Sequence, residues 1–250
     1  MDPTAAEVNN AGVSHLEDGD VCKALACFRD ALRQIMGAGI PGQPPAANNA
    51  TGARATFAFS PESLPRSSTS YMHATETTAS VSQTKPSQPD LSFLYAQGFC
   101  VVATPGAYSP DPMTNTTVVA ALIVFNLAVV YHIKGILVKG LGDAHLVKSY
   151  NLYERSQQLV RDMGVTIEYT GNAVVDLLFM AVANNLAHVC HERNDYVEAR
   201  VRFDALIRFA LTVVPARYGD EYVTSVMETQ KSNFLLNTII LQAPSSAQAA

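Results

Sequence analysis

The sequence predicts an all-α fold in which antiparallel helix hairpins stack side by side. Three observations support this prediction. Apolar residues recur at three- and four-residue spacing in successive stretches of the chain, which is typical of amphipathic helices. The same order of small and aromatic residues recurs in separate helix pairs. The alternation of apolar residues that is typical of β-strands is confined to residues 91–103.

The first predicted elements are two helices within residues 5–36, separated by a break at Gly19-Asp20. Glycine ends the first helix, and Asp20 is placed to accept hydrogen bonds from the first turn of the second helix. We assign residues 1–38 to this first hairpin.

The composition changes abruptly after the first hairpin. Seven of the 13 prolines lie between Pro41 and Pro89, among many Ser, Thr, Ala and Asn residues. Such a stretch has little apolar surface to offset its ordering entropy, so we predict a disordered insert over residues 39–90. The insert contains Ser60-Pro61 and a Ser/Thr cluster at 67–70. Phosphoregulation is therefore an alternative to an inert linker.

Residues 91–113 are predicted to form an extended segment or a short β-hairpin. Phe93 and Tyr95 alternate before Gln97-Gly98, and apolar residues alternate again after it. An isolated hairpin is only marginally stable in water, so we expect this one to pack on the helices.

The remaining chain is predicted to form a helical body over residues 114–243, followed by a disordered tail at 244–250. Its helices are expected at about 115–138, 143–163, 172–192, 195–213 and 220–241, with glycine, asparagine and proline between them. The run Val118 to Ile133 is apolar, but a membrane span needs roughly 20 such residues. We interpret this run as a central helix that neighbours cover on both sides.

The composition favours a cytoplasmic protein, with a nuclear location as an alternative. The chain has 250 residues, 48% of them hydrophobic, and a net charge of −5 without any Lys/Arg run. This charge argues against non-specific binding to nucleic acids or anionic membranes. The cysteines form no C-x-x-C pair, which favours reduced thiols inside the cell. They are Cys22, Cys27, Cys100 and Cys190.

A repeated spacing connects the helix pairs. Twelve residues separate the small residue of the first helix from that of the second in both the first and the last clear pair, and an aromatic residue follows four positions later. The repeat positions are Gly12, Ala24, Phe28, Ala128, Tyr153, Ala187, Ala199 and Phe203. The small residues permit close approach of the helices, and we expect the aromatic residue to fill the gap to the next hairpin. Such units must stack to bury their apolar faces.

This pattern resembles the tetratricopeptide repeat (TPR), of which the chain looks like a divergent member without the leading tryptophan. The resemblance covers about half of the chain. It implies an α-solenoid in which the first helix of each pair lines a concave groove for peptides. The groove residues that it implies are Asn10, Val13, Phe125, Asn126, Val129, Asn184, Asn185 and His188.

Asn10, Asn126 and Asn185 occupy the same repeat position in this alignment. An Asn side chain both donates to and accepts from a peptide backbone, which suits binding that tolerates many sequences. The alternative is that these amides bond to a neighbouring helix or to solvent. A further variant has the Ser/Thr-rich insert occupying the groove until it is modified.

The partner implied by the resemblance is a protein or peptide. One TPR subclass binds C-terminal acidic tails of chaperones through lysines and arginines in the groove. The matching positions here are Ala6, Leu122 and Ala181, so that partner is disfavoured because a carboxylate needs cations for strong pairing.

No motif indicates an enzyme. The Gly135 to Gly140 spacing lacks the Lys-Ser/Thr of a phosphate loop, and no hydrolase elbow occurs. The alternative to a scaffold is a small-ligand or metal-binding protein, with a minor hydrolase as a variant, centred on His132, His188 and His191. Two histidines three residues apart are weak evidence for zinc. We therefore expect a non-catalytic interaction scaffold with neither metal nor cofactor.

Overall fold

Seven helices form in the part of the chain that the structure describes. The computed structural model describes residues 3–37, 91, 93–101, 112–138, 142–162, 172–212, 218 and 221–242. The helices are α1 (Ala5–Glu17), α2 (Val21–Gly37), α3 (Pro112–Leu137), α4 (Gly142–Arg161), α5 (Ala173–Glu192), α6 (Tyr196–Thr212) and α7 (Glu221–Gln242). No β-strand occurs within those ranges, which confirms the predicted all-α class there. The predicted insert and tail lie outside the described residues.

The helices pack as antiparallel neighbours in chain order. Helix α1 pairs with α2, α3 with α4, and α5 with α6, while α2 packs on α3 and α4 on α5. Helix α7 packs against both α5 and α6. Each helix predicted from periodicity forms within a few residues of its expected bounds. Helix α3 begins earlier, at Pro112, because proline is well suited to a first helical turn.

One turn geometry closes two of the helix pairs. Gly19 and Asn194 both have a left-handed backbone, with φ of +78° and 62°. The next residue is an aspartate whose side chain caps the following helix. Asp20 accepts from the N–H of Lys23 at 3.1 Å, and Asp195 accepts from that of Glu198 at 3.2 Å.

The small residue in the first pair does what the repeat spacing predicts. A Cβ atom added to Gly12 would lie 2.6 Å from the Phe28 ring, so only glycine permits this crossing. The Phe28 ring therefore lies against Gly12 inside its own hairpin and is fully buried. The other repeat positions, Ala24, Ala128, Tyr153, Ala187, Ala199 and Phe203, are buried.

Glycines also bring α3 and α4 together at their connection. A Cβ atom on Gly135 would lie 2.7 Å from the Leu146 side chain, and one on Gly142 would lie 2.5 Å from the carbonyl oxygen of Gly135. Gly135, which belongs to the rejected phosphate-loop spacing, and Gly142 therefore serve close helix packing.

Two described helices are long and apolar enough to cross a membrane. They are Thr116–Leu137 and Ala173–Glu192, and their most apolar windows are 83% and 89% buried inside the fold. Contact with neighbouring helices on both sides accounts for their apolar character.

The short hairpin predicted near residues 91–103 does not form in the described residues. Residues 93–101, called here the central segment, instead begin in a turn closed by the bond from the N–H of Leu94 to the C=O of Leu91. From residue 95 the segment runs extended, and it lies against α1, α3, α5 and α7. Side chains of the helices, and not a neighbouring strand, make hydrogen bonds to its backbone.

Candidate functional site

The backbone of the central segment is held by asparagine side chains. The Asn10 amide accepts from the N–H of Val101 and donates to its C=O, both at 2.7 Å. The Asn126 amide makes the same pair of bonds to Phe99, at 2.8 Å and 2.9 Å. Each side chain thus presents one acceptor and one donor to a single residue, as an adjacent β-strand does.

The third asparagine at the shared repeat position repeats this arrangement. Asn185 accepts from the N–H of Tyr95 at 2.9 Å and donates to its C=O at 3.0 Å. The three equivalent positions on α1, α3 and α5 therefore bind three residues of one extended segment. We call the surface formed by these asparagines and their neighbours on α1, α3, α5 and α7 the asparagine groove.

Both ends of the asparagine groove carry further amides. On α1, the Asn9 side chain donates to the C=O of Phe99 at 2.9 Å. At the other end, Asn184 on α5 and Asn237 on α7 both donate to the C=O of Phe93, at 3.0 Å and 3.2 Å. The central segment is therefore bound by all four helices.

The bonded residues of the central segment follow a two-residue period. Their backbone bonds occur at Phe93, Tyr95, Phe99 and Val101, and the last three lie on one edge of an extended chain. None of the side chains that make these bonds is charged. These bonds therefore recognise an extended backbone, and they involve no charged side chain of the groove.

Aromatic rings anchor the central segment in the core. Phe99 is fully buried and packs edge-on against Phe125, with ring centroids 5.1 Å apart. The ring centroid of Tyr95 lies 5.3 Å from that of Phe234 on α7 and 6.3 Å from that of Phe125. The Tyr95 hydroxyl is buried without a hydrogen-bond partner among the described residues, and burial raises its pKa well above the ordinary value. The rings of Phe125 and Phe234 pack against the Tyr95 ring, but no described group forms a hydrogen bond with its hydroxyl.

A glycine brings the central segment against α1. A Cβ atom on Gly98 would lie 2.9 Å from the Val13 side chain. Any larger residue at position 98 must push the segment or Val13 aside, so this position selects glycine.

A buried polar chain connects the asparagine groove to α4. Asn185 donates to the hydroxyl of Tyr153 at 3.0 Å, and that hydroxyl lies 3.3 Å from Nδ1 of His132. His132 Nε2 in turn lies 3.1 Å from Nδ1 of His188. Burial, together with the neighbouring His188, lowers the pKa of His132 well below its ordinary value. His132 is therefore a neutral ring that fixes Tyr153 behind Asn185.

The three histidines of the alternative metal site do not converge. His191 stacks edge-on with Tyr196, at 5.3 Å between ring centroids, while His132 and His188 contact each other. Among the described residues, no group of three His, Cys, Asp or Glu side chains is arranged to hold a metal ion. Burial, reinforced by nearby acidic side chains, raises the pKa of Cys190 to about 11, so its thiol is protonated at neutral pH.

The structure places the groove residues implied by the repeat alignment on the helices that bind the central segment. Asn10, Asn126, Asn184 and Asn185 bond to its backbone, and Val13 and Phe125 contact its side. His188 lies near the Phe93 ring, with centroids 6.4 Å apart, and Val129 is buried in the shared core. The alternative role of the amides also occurs, since Asn126 bonds to Asn9 on a neighbouring helix.

Sequence reasoning missed several residues of the asparagine groove. Asn9, Phe234 and Asn237 were not singled out, and neither was the central segment as the occupant. One available signal was the Asn-Asn pair, which occurs within predicted helices at 9–10 and 184–185, and otherwise at 48–49 in the insert. Phe234 and Asn237 lie on α7, which has no second helix in the repeat alignment. That alignment therefore gave no reason to select them.

Comparisons of the chain with protein-family models, curated proteins and solved structures gave no match.

Proposed function

We propose that this protein is a non-catalytic interaction scaffold with a TPR-like arrangement of repeats, and that its asparagine groove binds an extended peptide segment of a partner protein. The observation that carries this proposal is the repeated use of one asparagine position. Three equivalent amides each bracket the N–H and C=O of a single residue in an extended chain. This is a device for binding backbone, and it does not depend on the side chains of the bound segment.

The occupant seen in the structure belongs to the same chain. The central segment therefore acts as an internal stand-in for a partner segment, and the partner must take its place. This refines the regulatory variant considered from sequence, because the occupant lies just after the Ser/Thr-rich insert and outside it.

The groove chemistry sets the charge of the partner segment. The amides that bond to the central segment are neutral, and the rings around Phe99 are apolar. We expect a neutral or mildly basic partner segment, in a cytoplasmic setting, and a binding affinity that changes little with salt. Nucleic acids, membranes and acidic C-terminal tails are not proposed as partners.

Affinity purification from the source cells tests this function. The bait variant Asn126→Ala/Asn185→Ala removes two of the bracketing amides. The matched control Asn151→Ala/Asn233→Ala removes two exposed amides on α4 and α7. We expect partners to be retained by the wild type and the control and lost from the groove variant, with the helical circular-dichroism signal preserved. A partner set shared by all three baits contradicts binding in the groove.

A further inference from the structure

The central segment also indicates which peptides fit the groove. We propose that the partner segment is an extended peptide with two aromatic residues four positions apart and a glycine directly before the second one, and that it binds by displacing the central segment. This inference rests on the proposed function, since it specifies the ligand of that same groove. Three features of the bound segment carry it.

The first feature is the pair of aromatic anchors. Tyr95 and Phe99 are four positions apart and place both rings in one cluster with Phe125 and Phe234. Asn185 and Asn126 bracket the backbones of these same two residues. Because the amides fix the register of the backbone, a bound peptide must present its rings at the same separation.

The second feature is the close approach at Gly98. A side chain at this position meets Val13 at 2.9 Å while the next residue, Phe99, is fully buried. The groove therefore discriminates against any residue other than glycine directly before the second aromatic anchor.

The third feature is the unpartnered hydroxyl of Tyr95. It is buried without a hydrogen-bond partner in the described part of the chain, so a phenylalanine fits the first aromatic pocket at least as well. The pocket selects an aromatic ring and gives no preference to tyrosine.

Displacement has to overcome the covalent tether of the central segment. A tethered segment acts at an effective concentration that reaches about millimolar for a short flexible linker, so a free peptide competes poorly with an intact internal one. Weakening the internal segment at Gly98 should therefore reveal the binding of a peptide supplied in trans.

The test uses the full chain and a synthetic peptide. The peptide is fluorescently labelled and carries residues 91–101 with Cys100→Ser. The proteins are the wild type and the variants Gly98→Val and Phe99→Ala, each of which weakens the internal segment. We expect the peptide to bind both variants roughly tenfold or more tightly than it binds the wild type. Added peptide should also raise the melting temperature of the variants by mass action.

Matched peptides test the pattern itself. A peptide with Gly98→Val and a scrambled peptide should not bind, whereas a Tyr95→Phe peptide should bind at least as tightly as the parent. If a variant does not fold alone, recovery of its helical circular-dichroism signal on adding the parent peptide gives the same information. Failure of the parent peptide to bind or rescue either variant overturns the inference, as does equal binding of the Gly98→Val peptide. Cellular partners that depend on Asn126 and Asn185 but lack the pattern would leave the proposed function intact and overturn this inference alone.

Discussion

Asn126 on α3 donates a hydrogen bond from its side chain to Oδ1 of Asn9 on α1, at 2.9 Å, and both residues are fully buried. Asn126 also brackets the backbone of Phe99, whose C=O accepts from Asn9 as well. One amide therefore ties two helices and the central segment into a single polar cluster. Networks of this kind stabilise a fold only when every member has a partner.

Replacing Asn126 tests the strength of this cluster. In Asn126→Ala the buried N–H of Phe99 loses its acceptor, and Asn9 loses a donor. We expect the free energy of unfolding to fall by about 1–3 kcal/mol. The control Asn151→Ala, at an exposed position on α4, should change it by less than about 0.5 kcal/mol. Urea unfolding followed by circular dichroism measures both, and equal effects would contradict a stabilising role of the groove amides.

Removing the hydroxyl of Tyr95 should increase the stability of the protein, whereas Asn126→Ala should decrease it. The hydroxyl is buried without a partner among the described residues, so Tyr95→Phe should raise the free energy of unfolding by about 1 kcal/mol. Tyr153→Phe is the matched change, because that hydroxyl bonds to Asn185 and lies beside His132. It should lower the stability by a similar amount. The two melting temperatures should shift in opposite directions, and a common direction would refute this assignment of partners.

The crossing of α1 and α2 should resist any side chain at Gly12. Its Cβ would lie 2.6 Å from the Phe28 ring, so we expect Gly12→Ala to destabilise the fold by about 1–3 kcal/mol. Gly37, at the end of α2, has no atom within 4 Å of an added Cβ. Gly37→Ala should be neutral or stabilising by up to about 1 kcal/mol. Thermal unfolding distinguishes the two, and a tolerated Gly12→Ala would show that α2 can move away freely.

Stability should fall on acidification through His132. A histidine in the unfolded chain titrates near its ordinary pKa of about 6.5, whereas burial lowers the pKa of native His132. The unfolded chain therefore binds more protons below that pH. The contribution of His132 to stability is fully present above about pH 6.5 and is lost as the pH falls towards the native pKa.

Comparison of variants isolates this effect. In His132→Gln the decrease in unfolding free energy between neutral and mildly acidic pH should be smaller than in the wild type. The control Asn151→Ala changes an exposed residue that does not titrate and should retain the wild-type slope. The slope of unfolding free energy against pH is the measurement, because it is independent of any constant loss of stability in either variant. Identical slopes in the wild type and His132→Gln would exclude His132 as the source.

The helices could be predicted because their signals are local. The turn at Gly19-Asp20 and the apolar period of α2 each lie within a few consecutive residues. The asparagine positions could also be aligned, since Gly12 and Ala187 fix the register of the repeats. These features depend on spacing within one hairpin, which a single sequence displays directly.

The path of the central segment could not be predicted from such signals. Its alternating apolar residues do indicate an extended backbone, and residues 95–101 are extended. The hairpin prediction rests on a turn at Gln97-Gly98 between alternating residues, whereas Asn126 and Asn185 supply hydrogen bonds to this backbone from distant helices. Side-chain amides that replace a neighbouring strand leave no periodic pattern in the segment they bind. The residues that determine the path of the segment lie on the helices, and not in the segment itself.

The separation of Asn9 from Phe99 in the sequence has a consequence for the order of assembly. The bond between them spans 90 positions, and the bond between Asn185 and Tyr95 spans the same number. The helix hairpins, in contrast, close through contacts between neighbours in the chain. Local closure is fast, and loop-closure entropy delays contacts between distant residues. The hairpins should therefore form first during folding, and the bonds of the central segment to α1 and α5 should form last, between helices that are already assembled.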